Sequence, residues 1–405
     1  MTNPHAVLAL MVDFSKAFNR QNHHTLITIL SDMNMPKWLL EIVMSFLSER
    51  ELIVRHKGLK SAKKSLPGGS PQGTRLGMFL FLVLINFAGF PAQDISVNIG
   101  EEITKPKTKR KPMMKTHLKY IDDLSFGAAI NLKENLIVNP DPDLPLPLSF
   151  HERTRHLLPY ENNVIQHEFD KLKTFANDRQ MVINEDKTQA ILFNTGRTHD
   201  FLPQIETESG EMLEVVEEVK LLGIVVRSDL KWHSNTKQLC KKGYDRLWML
   251  RNLKKLGAAK SDLTDVYYKQ CRSVLELAVP AWAPGLTQTE ANQLERIQKT
   301  ACAIILGPKY VSYKSALKIL DMQTLESRRQ TICLSFGKKA LKSDKFQNWF
   351  SVENDSGPVI KTRNFKPKPK LKPVKTRTKR YANSPIPYLT NLLNHHFEKQ
   401  DGSQQ

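Results

Sequence analysis

The sequence has few cysteines and no arrangement of them that would bind a metal. Its 405 residues include four cysteines, with no Cys-x-x-Cys pair and no Cys/His cluster typical of zinc sites. The cysteines follow one another at equal intervals of 31 residues, but their flanking sequences share little apolar register, so we do not infer a helical repeat. We expect free and mostly buried thiols, at Cys240, Cys271, Cys302 and Cys333.

Long apolar runs are also missing. The longest, LGMFLFLVLINFAGF at 76–90, is shorter than the roughly 20 residues that a membrane span needs, and Asn86 interrupts it. The N-terminal run AVLALMV has no basic segment before it and ends at Asp13, which is not typical of a signal peptide. We therefore expect an intracellular protein, in the nucleus or the cytoplasm, with no membrane partner.

Acidic residues are scarce relative to basic ones, since the formal net charge is +19. Such an excess favours a polyanionic partner, and nucleic acid is the first expectation. Residues 361–380 hold ten basic residues and no acid, and we predict that the whole stretch 351–405 is a disordered basic tail that adds non-specific affinity for RNA. Two further segments, basic 103–119 and Pro-rich 139–148, are predicted to be surface loops.

The order of apolar patterns predicts an α+β fold over residues 1–228. A short strand at 6–12, helices, a hairpin around 119–129, a helix near 164–176 and apolar runs at 180–194 suggest a split βαβ (ferredoxin-like) sheet with helices on one face. Beyond residue 229 the apolar period is helical, which predicts an all-α domain over 229–350. Within it we predict helix starts at Ser261 or Asp262, at a Thr287/Glu290 capping box with a stop at Gly307, and at Thr324.

Two adjacent aspartates, Asp122 and Asp123 in KYIDDLSFGAA, lie inside the predicted hairpin. They are either an ordinary turn, where Asp is common, or ligands of a divalent metal, which would cancel their mutual repulsion. A third carboxylate has a candidate in Asp13, because a neighbouring strand ends there. Three such carboxylates could hold two Mg²⁺ ions for in-line phosphoryl transfer.

Five segments, in this order, resemble the palm motifs of reverse transcriptases, most closely those of non-LTR retrotransposons. They are DFSKAF (13–18), GSPQGTRLG (69–77), YIDD (120–123), INEDKTQAILF (183–193) and VKLLGI (219–224). The resemblance continues through the helical region to about residue 345, which resembles the thumb of that family. It implies an RNA-directed DNA polymerase that adds deoxynucleoside triphosphates to a DNA primer on an RNA template, with two Mg²⁺ ions or Mn²⁺ in their place.

The same resemblance implies roles for individual residues. The metal ligands would be Asp13, Asp122, Asp123 and the Phe14 carbonyl, and Lys187 would protonate the leaving pyrophosphate, although a lysine at a turn is usually only exposed. Phe18 would lie under the sugar of the nucleotide and exclude a 2′-hydroxyl, or else pack in the core. The remaining sites would be Gln72 and Gly73 against template and nucleotide, and Leu222 and Gly223 against the primer, where a plain hydrophobic hairpin is the alternative.

Two departures from the family pattern affect these expectations. Asn19 stands where the family commonly has Asp, and the chain starts twelve residues before Asp13, so the fingers subdomain expected upstream is missing. We therefore expect a truncated element product or a partial gene model, and a poor enzyme in isolation. The alternatives are a non-catalytic nucleic-acid-binding remnant of such a polymerase and a helical adaptor with a basic tail. The sequence does not indicate an oligomeric state.

Overall fold

The computed structural model describes residues 5–86 apart from Ala17, 115–131 apart from Ile121 and Asp122, 164–194, 205–351 and 371–402. For residues 115–131 only the backbone is described. The chain divides into two compact units, Met1–Glu217 and Glu218–Gln405. The first unit mixes strands and helices, and the described part of the second unit is helical apart from one hairpin and an isolated β-bridge residue.

The first unit is built on a sheet of five strands. They are β1 (His5–Val12), β6 (Lys115–Tyr120), β7 (Asp123–Asn131), β8 (Gln189–Asn194) and β9 (Val215–Val216). Their order in the sheet is β6-β7-β1-β8-β9, where β1 runs antiparallel to both β7 and β8, β6 antiparallel to β7, and β9 parallel to β8. The strand that comes first in the sequence therefore lies at the centre of the sheet.

Helices of the first unit share a hydrophobic core with one face of β1. The helices are α1 (His23–Asp32), α2 (Lys37–Leu47), α3 (Arg75–Asn86) and α4 (Val164–Asp178). Alternate residues of β1, namely Leu8, Leu10 and Val12, are at most 3% exposed and belong to one buried cluster with side chains of these helices. The period of two along the strand thus gives β1 its core face.

Four two-residue strands lie between α2 and α3. They are β2 (Glu51–Leu52), β3 (Arg55–His56), β4 (Leu59–Lys60) and β5 (Lys64–Ser65), and they pair as β2 with β5 and β3 with β4. Together they form a hairpin that leads into the loop before α3.

The second unit begins with a hairpin of β10 (Glu218–Leu221) and β11 (Ile224–Arg227). A 23-residue helix, α5 (His233–Lys255), follows. Further helices are α6 (Lys260–Val266), a π-helical stretch (Tyr267–Arg272), α7 (Ser273–Leu275), α8 (Val279–Trp282), α9 (Gln288–Leu306), α10 (Tyr313–Ile319), α11 (Leu325–Leu341), α12 (Lys379–Ala382) and α13 (Pro385–Gly402).

The boundary between the units lies eleven residues before the predicted one at 228. The β10–β11 hairpin groups with the helices because a buried side chain of α5 ties it there: Asn235 accepts a hydrogen bond from the Val225 backbone N–H at 3.1 Å. Hydrophobic periodicity does not reveal a hydrogen bond from a backbone N–H to a side chain ten residues later.

The prediction of a disordered tail over 351–405 is wrong for residues 371–402. The segment carries two helices, α12 and α13, and Leu371, Leu389 and Leu393 are completely buried. A Cβ on Gly337 of α11 would lie 3.2 Å from Leu393, so the small residue permits close packing of α13 on α11. The apolar residues at helical spacing outweigh the high charge that suggested disorder.

Several other expectations can be placed. Residues 103–114, 139–148 and 361–370 lie outside the described residues. Three cysteines are buried, Cys240 is half-buried, and all four are free, as predicted. Of the helices that the structure describes, none is both long and apolar enough to cross a membrane.

Candidate functional site

Asp13 follows the last residue of the central strand and lies beside a turn from much later in the chain. Its carbonyl oxygen accepts a hydrogen bond from the Asn184 N–H at 2.8 Å, and the Ser15 N–H donates to the Val182 carbonyl at the same distance. Phe14 between them pairs with Ile183. The backbone after β1 is therefore fixed against residues 182–184, and the Asp13 side chain stays 30% exposed.

The turn that follows brings Lys187 to Asp13. Residues Glu185–Lys187 form one turn of 3₁₀ helix, and the Lys187 Nζ lies 3.5 Å from the Asp13 Oδ2. The Lys187 side chain is 70% exposed. Two predicted site residues, 174 positions apart, thus form an ion pair that solvent and a ligand can reach.

The same turn is held from its other side. The carboxylate of Glu185 accepts hydrogen bonds from the Glu208 N–H at 2.7 Å and from the Ser209 hydroxyl at 2.8 Å. This contact joins the turn to the loop that precedes β9. Glu185 was not among the predicted site residues.

The strand that begins at Asp123 lies beside β1 in the sheet. Tyr120 pairs with Asp123 across β6 and β7, and Leu124 pairs with Val12 across β7 and β1. One step further in the same register, Asp123 is level with Asp13. Asp122 lies outside the described residues, as does the Asp123 side chain, so it is the backbone alone that places the start of β7 beside the end of β1.

The residues at this edge suit a hard divalent cation by the chemistry of their donors. A carboxylate on Asp13, a carbonyl on Phe14 and further carboxylates on the β6–β7 hairpin are oxygen ligands of the kind that Mg²⁺ and Mn²⁺ prefer. Among the residues whose side chains are described, no three acidic, histidine or cysteine side chains form a metal-binding group. Two of the three predicted carboxylates fall outside that set.

The predicted nucleotide-side residues lie on a loop that packs against the turn after β1. The Ser70 N–H donates to the Phe18 carbonyl at 2.8 Å, and the Gly69 N–H donates to the Gln21 carbonyl at 2.9 Å. The Phe18 ring is half-buried and lies 4.7 Å from the Phe81 ring of α3. The structure therefore joins the loop that carries Gln72 to the backbone of Phe18.

Gln72 and Gly73 are exposed at the far end of this loop. Gly73 has a positive φ of 82°, and no atom lies within 4 Å of the position that a Cβ would occupy. A side chain at this position would therefore meet open space.

A pair of basic side chains that the sequence analysis missed holds the loop in place. Arg50 donates to the carbonyl oxygens of Gly68 and Gly69, and the His23 Nε2 lies 2.7 Å from the Gly69 oxygen. Burial lowers the pKa of Arg50. Because both partners are backbone carbonyls, no complementary acidic residue in the sequence could have revealed them.

Leu222 and Gly223 form the turn of the β10–β11 hairpin in the second unit. Both have positive φ, 47° and 88°, the combination of a type I′ turn that matches strand twist. Leu222 is 48% exposed. An exposed leucine in a left-handed conformation, which costs a non-glycine residue roughly 1–2 kcal/mol, is compatible with a contact surface at the tip.

Helix α5 presents basic and aromatic side chains that the sequence analysis also missed. The signal was available, because they recur at intervals of four and three residues, the spacing of one helix face. Trp248 is 66% exposed and Tyr244 is 43% exposed. This face consists of six residues, Lys237, Lys241, Tyr244, Trp248, Arg251 and Lys255. Their side chains form no hydrogen bond or ion pair with the described part of the chain.

The second unit also contains an apolar cavity of about 420 Å³. It is lined by Ala278, Pro280, Ala281, Phe336, Trp349 and Pro385. Ligand sites usually combine an apolar lining with a few polar groups that fix orientation, and this lining contains no charged side chain. We assign no function to it.

Comparison with known proteins identifies the family. The family model described as reverse transcriptase (RNA-dependent DNA polymerase) matches residues 2–226. A curated protein of Drosophila melanogaster, the probable RNA-directed DNA polymerase from transposon BS, is 23% identical over 328 residues, which is 79% of this chain and 31% of that protein. The chain thus spans about a third of the length of this relative.

Solved structures give weaker matches. Apo telomerase from Candida tropicalis is 13% identical with a TM-score of 0.36, over 78% of this chain and 44% of that one. Telomerase from Candida albicans in complex with a TWJ fragment of telomeric RNA is 11% identical with a TM-score of 0.30, over 85% of this chain and 50% of that one. The family match covers more than half of the sequence and confirms the recognition made from the five motifs: this chain belongs to the reverse transcriptase (RNA-dependent DNA polymerase) family.

Proposed function

We propose that this chain is an RNA-directed DNA polymerase whose first unit is the palm and whose second unit is the thumb. The observation that carries the proposal is the meeting of Asp13, Lys187 and the start of β7 at one edge of the sheet. The order β7-β1-β8, with β1 antiparallel to both neighbours, supports a split βαβ palm. Its substrates would be deoxynucleoside triphosphates, a DNA primer and an RNA template.

The carboxylates of Asp13, Asp122 and Asp123, with the Phe14 carbonyl, would hold two Mg²⁺ ions. When bound, the ions would activate the primer hydroxyl and neutralise charge on the triphosphate. The chain's own contribution is positioning: the backbone bonds from Ser15 and Asn184 fix the direction in which Asp13 leaves the strand. Manganese would be accepted by the same oxygen donors.

Lys187 would supply a proton to the leaving pyrophosphate. Its ammonium group is exposed, 3.5 Å from Asp13, and its turn is tied down by Glu185. Exposed ion pairs contribute little to stability, about 0–1 kcal/mol. The Lys187–Asp13 pair can therefore open at small cost when an anionic group enters between them.

Phe18, Gln72 and Gly73 would form the nucleotide and template side of the site. The packing of Phe18 on Phe81 would hold the Phe18 ring in place beside the sugar of the nucleotide. A planar ring there would clash with a 2′-hydroxyl. The tip at Leu222 and Gly223 would contact the primer. The basic and aromatic face of α5, from Lys237 to Lys255, would contact the phosphates and bases of the bound strands.

Primer extension by the purified full chain tests the proposal. We expect weak extension on an RNA template, in line with the poor enzyme expected from the sequence, and this extension should require Mg²⁺ and stop with a chelator. Loss of a residue that hydrogen-bonds to a metal ligand typically lowers activity about 10–100-fold. Because Asp13 would be a ligand itself, the variant Asp13→Asn should lower the extension rate by more than that. The control Asp32→Asn, an exposed residue at the end of α1, should leave the rate unchanged.

Two outcomes would contradict this assignment. Extension that is insensitive to Asp13→Asn would remove Asp13 from the site. A chain that binds RNA tightly but extends no primer under any divalent cation would favour the alternative, a non-catalytic nucleic-acid-binding member of the family.

A further inference from the structure

A strongly basic segment in the second unit is ordered and fully available to a partner. Residues 371–381, LKPVKTRTKRY, contain five cations and no acid. All five are exposed, and no ion pair or side-chain hydrogen bond to another described residue engages them: Lys372, Lys375, Arg377, Lys379 and Arg380. We call the whole stretch from Leu371 to Tyr381 the 371–381 segment.

One end of the segment is clamped by a single side chain. The Asn394 amide of α13 accepts a hydrogen bond from the Leu371 N–H at 3.0 Å and donates one to the Leu371 carbonyl at 2.8 Å. The Lys372 N–H also donates to the Ser351 carbonyl at 2.7 Å. Leu371 itself is completely buried, so the segment starts from a fixed anchor.

The other end runs directly into helices. The Thr378 hydroxyl accepts a hydrogen bond from the Tyr381 N–H and caps α12, and α13 then packs on α11 through Leu393 and Gly337. Pro373 disfavours a helical conformation for the residue before it, and residues 372–376 form neither helix nor strand. The cations are therefore spaced along a fixed, non-helical path between two anchors.

The spacing of the charges suits a chain of phosphates. Lys372, Lys375 and Arg377 follow one another at intervals of three and two residues, at most about 10 Å apart along the backbone. Since the anchors are already ordered, a partner would not bear the cost of ordering this backbone on binding. A free basic tail would carry that cost.

The chemistry of the segment favours nucleic acid over a membrane surface. Surface-bound peptides insert apolar side chains beside their cations, but Leu371 is buried and Val374 is half-buried. Tyr381, 45% exposed, is a ring on which a base can stack. Two residues past the segment, the Asn383 carbonyl lies near the residue that precedes α5, because a Cβ on Gly285 would lie 3.8 Å from this carbonyl and 2.6 Å from the Trp232 ring.

We propose that the 371–381 segment is a pre-ordered binding surface for the phosphates of single-stranded RNA, carried by the helical unit and lying outside the part of the chain that matches the family. This proposal rests on the proposed function, in which the chain binds an RNA template, and it adds a second RNA contact that does not involve the polymerase site.

The test compares RNA affinity across a series of salt concentrations, using the full chain and a labelled single-stranded RNA. The variant with all five cations changed to glutamine should reduce the slope of log affinity against log salt by about 2–3.5, since each phosphate contact contributes about 0.7 for single strands. A control carries glutamine at five exposed lysines elsewhere in the second unit, which lack ion pairs among the described residues: Lys260, Lys309, Lys314, Lys318 and Lys342. The control should change the slope by less than about 1.

A second variant separates a fixed surface from a free tail. Asn394→Ala keeps every charge but releases the Leu371 anchor, so it should retain the slope and lower the affinity about 3–10-fold. Equal slopes for the five-site variant and its control would overturn the proposal, and unchanged affinity in Asn394→Ala would overturn the claim of pre-ordering. Equally strong, salt-dependent capture on anionic lipid vesicles would point to a membrane instead.

The polymerase assignment can fail independently. Asp13→Asn should bind the RNA with unchanged slope whether or not it extends a primer, because it lies in the other unit. Unchanged extension by Asp13→Asn would overturn the polymerase assignment and leave the RNA surface standing. A salt slope in the five-site variant no lower than in its control would overturn the RNA surface and leave the polymerase assignment standing.

Discussion

Two glycines in the same loop offer a matched test of how tightly the site is packed. Gly69 and Gly73 have nearly equal positive φ, 75° and 82°, so alanine is conformationally unfavourable at both. A Cβ on Gly69 would lie 2.7 Å from the carbonyl oxygens of Phe18 and Asn19, whereas a Cβ on Gly73 would have no atom within 4 Å. The pair differs in steric contact and not in backbone conformation.

The expected magnitudes follow from these contacts. A left-handed alanine costs roughly 1–2 kcal/mol, and this is the whole expected effect of Gly73→Ala. In Gly69→Ala the obstructing atoms belong to the backbone and cannot rotate away, so an overpacking cost of about 1–3 kcal/mol is added. We therefore expect Gly69→Ala to destabilise the first unit by about 2–5 kcal/mol in total.

The two units need not unfold together, so the stability of the first unit must be measured separately. Hydrogen exchange in urea, followed on peptides from β1 and α3, provides this measurement. Gly69→Ala should also displace the Phe18–Asn19 turn and impair primer extension, while Gly73→Ala should leave the position of Phe18 unchanged. Equal destabilisation by the two substitutions would refute the packing described here.

Three further predictions concern the second unit. Glu276→Gln removes the carboxylate that binds Arg328 through two 3.0 Å hydrogen bonds, and should lower the free energy of unfolding in urea by about 1.5–3 kcal/mol. The control Asp265→Asn, at an exposed ion pair, should lower it by less than about 1 kcal/mol. Similar losses for the two variants would contradict an effect of burial. Burial raises the pKa of Asp229, but hydrogen bonds from the Lys231 N–H and from Arg227 outweigh it and hold the pKa below its ordinary 3.8. The stabilisation by Asp229 is thus present above that value and lost as pH falls through the lowered pKa. Hydrogen-exchange protection in the β10–β11 hairpin, corrected for the intrinsic exchange rate at each pH, should therefore fall in acid for the unmodified chain but not for Asp229→Asn. Burial raises the pKa of the three fully buried cysteines to about 11, so alkylation of the native chain near pH 8 should modify half-buried Cys240 first, and mass spectrometry would reveal any other order.

Local signals predicted helix ends well where the determining contacts are close in sequence. The Thr287–Glu290 capping box forms as expected, and the helix runs to Gly307. The proposed start at Ser261 or Asp262 was wrong, because that helix begins at Lys260 after Ala259 with no side-chain cap. A capping residue is only a preference, and tertiary packing decides which residue begins the helix.

The C-terminal helices show the limit of composition. Ten basic residues over 361–380 favour disorder when the segment is considered alone. The structure instead buries Leu389 and Leu393 of α13, and Leu393 packs beside Gly337, more than fifty residues earlier. The apolar face was visible in the sequence, but the surface that receives it was not.

The sequence led to Asp13 and Lys187 as candidate site residues, but not to the side chains that support the loop and the turn around them. The order of motifs indicated that Asp13 and Lys187 belong together, and they lie 3.5 Å apart. His23 and Arg50, which hold the Gly69 loop, escaped because they bind backbone carbonyls. Contacts of that kind leave no complementary residue to find.

The geometry at Lys187 is set by hydrogen bonds of the turn that carries it more than by its ion pair. An exposed pair at 3.5 Å contributes at most about 1 kcal/mol, too little to hold a flexible lysine in one place. The turn that carries it is fixed by two hydrogen bonds to Glu185 and by the backbone bond from Asn184 to Asp13. The backbone beneath Lys187 is thus rigid while its ammonium group is free to exchange one anion for another. The proposed role of Lys187, which would leave the Asp13 carboxylate to meet a phosphate, needs that combination of a fixed turn and a free ammonium group.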